Sequence, residues 1–380
     1  MPSAEVVVPD LALRPIRLGD AGDVVAEVRD RLHRLGLLAA AQPPLQPACG
    51  ARFDDLVDVA VRRFQQERGI TVDGIVGPET FRRLEEARWS LGDRTLAFSP
   101  GHLMAGDDVA ALQQRLTTLG FDCGRVDGRF GVQTDHALRE FQRNVGIDVD
   151  GTCGPATHRA LHRLVRTVSG GRPEHLREAA VLEQVTTGVA DKVVVLDPGH
   201  GGEDAGPHAH GLYEAEVAEA LASRVEGRLG AIGTTVLLTR GPHQELEGHL
   251  DERDRAAFCN ATGADLVVSL HVGVAASKAA QGLATFYYGG DSYGASSSLG
   301  ERAAVLVHEE ILARTDLVDC RVHGKTWDLL RLTRMPTVRV ECGYLSHDGD
   351  ASRLADPAFV DTVAEAVATG IVRYFAPPGA

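Results

Sequence analysis

One pattern occurs twice in the first 165 residues, and this repeat limits the possible folds more than any other feature of the sequence. The first copy reads GDVVAEVRDRLHRLGLL (22–38) and then VAVRRFQQERGITVDGIVGPET (59–80), and the second reads GDDVAALQQRLTTLGF (106–121) and then HALREFQRNVGIDVDGTCGPAT (136–157). Each copy has apolar residues at helical spacing, a Gly where its first helix should end, and an Asp-Gly turn before a Gly-Pro helix start. The repeat therefore predicts two small all-α modules of three helices each, at 14–92 and 93–168.

The length and charge of the chain narrow the classes of function. At 380 residues it is too long for one ordinary core, and its 44% hydrophobic and 24% charged residues are typical of a globular protein. A net charge of −14 argues against nucleic acid as a partner, because phosphate binding needs clustered Lys and Arg. The same charge provides no long-range attraction to anionic cell-wall polymers. No apolar run reaches the roughly 18 residues that predict a transmembrane segment.

The start of the chain and its cysteines bear on the compartment. The N-terminal sequence, MPSAEVVVPDLALRP, lacks the basic start, apolar stretch and cleavage site of a secretory signal. The six cysteines are scattered without a CxxC pair, which favours free thiols over a disulfide framework. We therefore expect a cytoplasmic protein, for which action outside the cell would need an unrecognised export route.

The second half of the chain has a different pattern. Residues 169–191 are polar and predict a linker. From Lys192, apolar β-branched runs alternate with helical stretches, which predicts an α/β domain over 192–376 with a buried, mostly parallel sheet. The strands are predicted at 193–197, 234–240, 266–272, 284–289 and 337–345, and the helices at 214–230, 250–262, 298–315 and 358–375.

Ionisable side chains occur where three of these strands end. His200 follows the first strand on a Gly-rich turn, His271 ends LVVSLH, and Glu341 ends TVRVE. A fourth, Glu214, opens a helix. A lone His at a strand end is usually structural, and a lone Glu in a first helical turn usually complements the helix dipole. Glu341 is harder to explain in this way, because an unpaired carboxylate in an apolar strand is costly and needs a cation or a hydrogen-bonded proton.

Two histidines and two glutamates at one sheet edge would satisfy each other through a metal ion. Two imidazoles and one carboxylate make a three-ligand zinc site with an open fourth position for water. Zinc lowers the pKa of that water and polarises a scissile carbonyl. A second carboxylate outside the ligand set can then take the proton and pass it to a leaving amine.

Several segments resemble known families. DPGHGG (197–202), GLYEAEVAEALA (211–222), LTR (238–240), ADLVVSLH (264–271) and MPTVRVECGYLSH (335–347) closely resemble the zinc N-acetylmuramoyl-L-alanine amidases of the amidase-3 type. The resemblance implies His200, Glu214 and His271 as Zn²⁺ ligands and Glu341 as the catalytic carboxylate. The implied reaction is hydrolysis of the amide between N-acetylmuramic acid and L-alanine. The repeated modules resemble the peptidoglycan-binding module that is often fused to cell-wall hydrolases.

The chain departs from these families at several places. Val272-Gly273 and Ser346-His347 stand where the amidases usually have Ala-Asn and Ser-Asn, which puts rate and substrate preference in doubt more than metal binding. In the first module a Pro/Ala/Gln-rich insert at 38–53 replaces the VDGRFGVQT (126–134) of the second, which puts glycan binding by the first module in doubt. Cys342 should point to the face opposite Glu341, and is interpreted as a buried thiol.

The order of two modules and an amidase domain resembles the actinobacterial CwlM-type proteins, and three hypotheses stay open. The first is an active zinc amidase acting on peptidoglycan or muropeptides. The second is a cytoplasmic regulatory protein of peptidoglycan precursor synthesis, whose amidase fold binds a cell-wall biosynthetic enzyme. The third is a carbohydrate-binding adaptor that acts through residues 1–168. Four other histidines, His243, His249, His308 and His323, match no ligand pattern. His208 and His210 flank a loop near Glu214, where lining of a cleft is an alternative to the commoner exposed loop histidine.

Overall fold

The computed structural model of this chain describes residues 14–38, 51–165, 186–241, 251–290 and 295–377. The chain separates into two compact units, of which Met1–Pro173 with Asp291–Ala295 forms the first, and Glu174–Gly290 with Ser296–Ala380 the second. Most of the predicted linker, up to residue 185, lies outside the described residues, and the domain boundaries stay predictions. Within the described ranges, no helix is both long and apolar enough to cross a membrane.

The first module is a bundle of three helices, as the repeat predicts. Its helices are α1 (Asp23–Arg34), α2 (Asp55–Arg68) and α3 (Pro78–Glu86). The apolar spacing of α1 places Val25, Val28 and Leu32 on one face, and that face is buried against the other two helices. The helix boundaries follow local chemistry: α2 starts where the Asp54 carboxylate accepts the Val57 N–H and ends at a left-handed Gly69.

The second module repeats this arrangement with its own core. Its helices are α4 (Asp107–Thr118), α5 (Val132–Val145) and α6 (Pro155–Val165), and two short strands, β1 (Leu96–Ala97) and β2 (Thr152–Cys153), pair antiparallel. The two modules have separate hydrophobic clusters. The all-α part of the predicted fold is therefore confirmed.

A buried glutamine ties each Asp-Gly turn to the helix before it. Gln142 on α5 donates to Asp150 Oδ1 at 2.7 Å and accepts the Gly151 N–H at 2.9 Å. Gln65 on α2 makes the same contacts with Asp73 and Gly74. The contacts satisfy both ends of the amide, so a fully buried polar side chain costs little here.

The second module has a further glutamine of this kind on its first helix, and the first module does not. Gln113 on α4 donates to Asp127 Oδ1 and to the Arg129 carbonyl. At the matching position of α1, Arg29 instead donates to the Arg52 carbonyl and the Asp54 carboxylate, each at 2.8 Å. The first module has thus replaced an amide contact by an ion pair next to its insert, of which residues 39–50 lie outside the described part of the chain.

The second unit is an α/β domain around a six-stranded sheet. Its strands are β3 (Val193–Pro198), β6 (Thr235–Leu238), β7 (Leu266–Gly273), β8 (Leu283–Tyr288), β9 (Asp319–Lys325) and β10 (Thr337–Tyr344), and a hairpin of β4 (His208–Ala209) and β5 (Leu212–Tyr213) lies outside the sheet. The strand order is β6-β3-β7-β10-β8-β9. The first four strands in this order are mutually parallel, β8 is antiparallel to β10, and β9 is parallel to β8. The mostly parallel sheet is confirmed.

Helices cover both faces of this sheet, and the two faces differ in polarity. The helices are α7 (Glu214–Gly230), α8 (Glu252–Thr262), α9 (Ser298–Arg314), α10 (Asp328–Leu332), α11 (Asp348–Leu354) and α12 (Pro357–Phe375). On one face α7, α9 and α12 pack on an apolar core. On the other, α8 and α10 cover a smaller apolar cluster. Strand alternation places Asp197, Arg339 and Glu341 on this second face.

The sequence patterns did not predict β9, α10 or the β4–β5 hairpin. β9 is one of the two edge strands, and its side chains alternate between exposed and half-buried, so it lacks the apolar run by which the other strands were recognised. Arg321 within it adopts a left-handed φ of 73°, which interrupts regular alternation.

Candidate metal centre

Three neighbouring strands bring the predicted site residues to one edge of the sheet. β3, β7 and β10 are parallel, so their carboxyl ends meet at the same edge. In the register of β7 and β10, His271 lies opposite Glu341, and neighbouring strands are about 4.8 Å apart. The loop that follows Pro198 at the end of β3 carries His200. Glu214 is the first residue of α7, and it lies at the same edge.

His200, Glu214 and His271 form a compact group whose ligand atoms all lie within 4.8 Å of one another. Nδ1 of His271 is 2.8 Å from Oε1 of Glu214, and Nε2 of His200 is 3.3 Å from Oε2 of Glu214. Each oxygen of the Glu214 carboxylate thus contacts one ring nitrogen of one histidine. Two imidazole nitrogens and a carboxylate are a donor set that suits zinc.

The backbone of the Gly-rich turn makes this approach possible. A side chain at Gly199 would overlap the His271 ring, and one at Gly206 would overlap the His200 ring. His200 itself has a left-handed φ of 57°, a strained conformation that non-glycine residues seldom adopt. Gly199 of DPGHGG and Gly206, four residues after the end of this motif, thus leave the space in which the two imidazoles lie.

Buried arginines hold this turn in place. Arg240 donates to the carbonyls of Pro198 at 3.1 Å and Gly199 at 2.9 Å. Arg255 on α8 donates to the His200 carbonyl at 2.7 Å and pairs with the buried Asp197 carboxylate at 2.7 Å. None of these three side chains, Arg240, Arg255 and Asp197, was predicted to hold the turn. The sequence did contain a signal for such a partner: Asp197 ends the apolar run VVVLD, and a buried carboxylate there needs a cation.

The other nitrogen of His200 also has a carboxylate partner, which sequence reasoning missed. Nδ1 of His200 is 2.8 Å from Asp204 Oδ2. Because the carboxylate accepts, the Nδ1 atom donates, and the Nε2 atom is the one directed at Glu214. A carboxylate behind a histidine ligand is a common arrangement around metal ions in proteins.

The protonation states of the three groups differ. Burial, reinforced by the Arg339 guanidinium, lowers the pKa of His271 to about 4, so this ring is neutral at neutral pH. Burial also acts against protonation of His200, but its hydrogen bonds to Glu214 and Asp204 outweigh it and raise the pKa above 6.5. Burial opposes the charge of Glu214, yet hydrogen bonds from His200 and His271 hold its pKa well below 4.5.

Glu341 lies beside this group and outside it. Its Oε1 atom is 3.2 Å from Nη2 of Arg339, and its side chain is 14% exposed. The cation that a carboxylate at this position requires is therefore supplied by an arginine two residues earlier on the same strand. Cys342 lies in the apolar core on the opposite face, as its alternation predicts, and burial raises the pKa of its thiol to about 12.

The remaining histidines that lie within the described ranges do not join the ligand group. His308 is buried between Thr285 and Asp319, and the exposed His208 stacks on Tyr213 with ring centroids 5.3 Å apart. His210 pairs with Asp348, and His323 contacts the Cys320 carbonyl. His243 and His249 lie outside the described residues.

Comparison with known proteins identifies both parts of the chain. Residues 194–373 match the family model of N-acetylmuramoyl-L-alanine amidases, and residues 21–84 and 105–161 match that of a peptidoglycan binding domain. The chain is 44% identical over 367 residues to N-acetylmuramoyl-L-alanine amidase CwlM of Mycobacterium tuberculosis, covering 95% of this chain and 89% of that protein. It is 31% identical over 204 residues to the germination-specific N-acetylmuramoyl-L-alanine amidase of Bacillus subtilis, covering 50% of this chain and 83% of that protein.

Among solved structures, the catalytic domain of CwlV, an N-acetylmuramoyl-L-alanine amidase from Bacillus (Paenibacillus) polymyxa var. colistinus, is 31% identical. That match covers 48% of this chain and 97% of the solved one, with a TM-score of 0.43. The domain models and the sequence identity to the mycobacterial protein establish that this chain belongs to the N-acetylmuramoyl-L-alanine amidase family and carries two modules of the peptidoglycan-binding type.

Proposed function

We propose that the second unit is a zinc-dependent N-acetylmuramoyl-L-alanine amidase, which hydrolyses the amide between N-acetylmuramic acid and L-alanine. The observation that carries this proposal is the convergence of His200, Glu214 and His271 within 4.8 Å at one sheet edge. A zinc ion held by these three groups would supply the Lewis acidity that polarises the scissile carbonyl and acidifies water. The substrate would be peptidoglycan or a muropeptide.

Residues of the chain would perform the remaining steps. Glu341, adjacent to the group and outside it, would take the proton from the attacking water and pass it to the leaving amine of L-alanine. Asp204 would hold the His200 ring, and Arg255 the backbone that carries it, so the ligands are oriented before metal binds. This preorganisation supports a catalytic role for the site.

Metal content is the first test. The purified chain, stripped of metal and dialysed against zinc, should bind about one zinc ion, and His271→Ala should lose most of this binding because one of three ligands is removed. His208→Ala is the matched control, because this exposed histidine lies outside the ligand group. Metal content is measured by elemental analysis. Equal zinc binding by wild type and His271→Ala would exclude this ligand set.

Release of stem peptides is the second test. Glu341→Gln should retain zinc and lower the rate of peptide release from purified sacculi by about 10²- to 10⁴-fold, the usual contribution of a general acid–base residue. Glu365→Gln makes the same change on the exposed face of α12 and should leave the rate unchanged. Absence of released peptide from the zinc-loaded wild type would reject the amidase and leave the regulatory hypothesis in its place.

A further inference from the structure

A largely buried arginine lies between the candidate base and a second carboxylate. Arg339 is 19% exposed and shares with Glu341 the polar face of β10. Nη2 of Arg339 is 3.2 Å from Glu341 Oε1, and Nη1 is 3.2 Å from Glu252 Oε1 on α8. The guanidinium thus joins two carboxylates from different elements.

An aromatic ring also contacts the guanidinium, and its Glu252 partner is itself held by a hydrogen bond. Its central carbon lies 4.6 Å from the centroid of the Trp327 ring, which in turn packs on Phe286 at 4.7 Å. Oε2 of Glu252 accepts the Leu329 N–H at 3.1 Å, so this anchoring carboxylate is held as well. A cation between an aromatic face and two carboxylates has lost the mobility of an ordinary surface arginine.

This anchoring determines what Glu341 can do. Its Oε1 atom forms an ion pair with Arg339, and among the described residues its Oε2 atom has no hydrogen bond or ion pair. One oxygen therefore faces the guanidinium, and the other is without such a partner at the edge where His271 lies opposite. A base held in one orientation meets the proton it must accept without first losing rotational freedom.

We propose that Arg339 is a positioning residue, which Glu252 and Trp327 hold in place so that it orients the Glu341 carboxylate towards the His200–Glu214–His271 group. This inference rests on the proposed amidase function. It assigns no contact with substrate to Arg339, because the guanidinium acts through Glu341.

Kinetics on a soluble N-acetylmuramoyl peptide test this role. Arg339→Met keeps an unbranched apolar stem and removes the guanidinium, and should lower kcat by about 10- to 100-fold, as for other residues that orient a site, with KM and zinc content nearly unchanged. Arg339→Lys should retain part of the activity, since it keeps the charge but cannot bridge two carboxylates. Glu252→Gln, which leaves the Arg339–Glu341 pair, should lower kcat less. Arg334→Met removes an exposed arginine and is the matched control.

A structural role is separated from a positioning role by chemical rescue. Arg339→Ala should regain activity when guanidinium ion is added well below denaturing concentration, and sodium chloride at the same ionic strength should not have this effect. A normal or raised kcat in Arg339→Met, or a lowered kcat that guanidinium fails to restore in Arg339→Ala, would overturn the proposal.

A thermal double-mutant cycle distinguishes failure of this inference from failure of the amidase function. Melting temperatures of zinc-loaded wild type, Arg339→Met, Glu341→Gln and the double variant should be non-additive by about 2–4 °C, because each single change leaves a partner unpaired. Additive shifts would reject the positioning role whatever the activity. Non-additive shifts in the cycle, together with a wild-type protein that releases no peptide, would reject the amidase function but would still support the contact between Arg339 and Glu341.

Discussion

The two histidines of the candidate site should meet a metal ion in different protonation states. His271 is buried beside Arg339, and its pKa of about 4 leaves it neutral and ready to donate a lone pair. His200 lies between the carboxylates of Asp204 and Glu214, which raise its pKa above 6.5. In the metal-free site a proton on His200 must therefore be displaced before a cation can bind. The affinity for metal should depend on pH because of this one ring.

Proton release on zinc binding tests this assignment. Because the pKa of His200 is raised above 6.5, more than half of the metal-free rings are protonated at pH 6.5, so zinc should displace a proton there, and the release should fade as pH rises through the raised pKa. Titration calorimetry in buffers of different ionisation enthalpy measures the number of protons. Asp204→Asn should release fewer, because it removes a carboxylate from Nδ1 while keeping an oxygen for the Gly206 N–H. Equal release by both proteins would show that Asp204 does not hold the proton.

At the scale of elements, the buried glutamines explain why the Asp-Gly turns recur at fixed distances from the helices. Each turn directs an N–H inward, and a glutamine oxygen accepts it, as Gln142 does for Gly151. The same side chain donates to Asp150, so helix and turn become one unit. Loss of such a glutamine amide would leave its buried partners without hydrogen bonds. The free-energy cost of these unsatisfied groups exceeds the net stabilisation that the hydrogen bonds themselves provide.

Removal of this amide should loosen the second module locally. Gln142→Ala leaves the buried Gly151 N–H without its acceptor, at a cost of about 2 kcal/mol, which corresponds to roughly 30-fold faster hydrogen exchange of that amide. Gln133→Ala, on the exposed face of the same helix α5, should leave this exchange rate unchanged. Exchange followed by mass spectrometry or NMR gives the comparison. Unchanged protection of Gly151 in Gln142→Ala would mean that another acceptor replaces the glutamine.

The positions of the helices and strands show how much of the fold could be predicted from the sequence. Long periodic elements were predicted closely: α12, expected at 358–375, is Pro357–Phe375. The approach of His200, Glu214 and His271 was also predictable, because buried parallel strands must end at one edge. The ion pair of Arg339 with Glu341 was missed although the two residues share a strand face. The anchoring of the His200 turn by Arg255 could not be read from local pattern, since it joins positions that only tertiary folding brings together.

Charge is the property of the whole molecule that constrains its proposed encounter with the cell wall. The chain has a net charge of −14, and peptidoglycan itself carries carboxylates on its stem peptides. Long-range electrostatics therefore oppose the approach of the two, in contrast to wall-binding proteins with a basic surface. If the modules bind peptidoglycan, short-range contacts must provide the affinity, and the effect of salt on binding should have the opposite sign from that of a basic binder.

Co-sedimentation of the full chain with purified sacculi measures this sign. Raising ionic strength from 0.01 M to 0.15 M shortens the screening length from about 30 Å to about 8 Å and weakens the repulsion, so the bound fraction should stay constant or rise. Glu341→Gln protein is used so that the sacculi stay intact during the measurement, and a basic protein of similar size, whose bound fraction should fall, is the control. A several-fold loss of bound chain over the same range would contradict this reasoning, because it would require a local basic surface that outweighs the net charge. If the chain binds sacculi at neither ionic strength, the modules do not bind peptidoglycan under these conditions, and a protein partner is favoured for them.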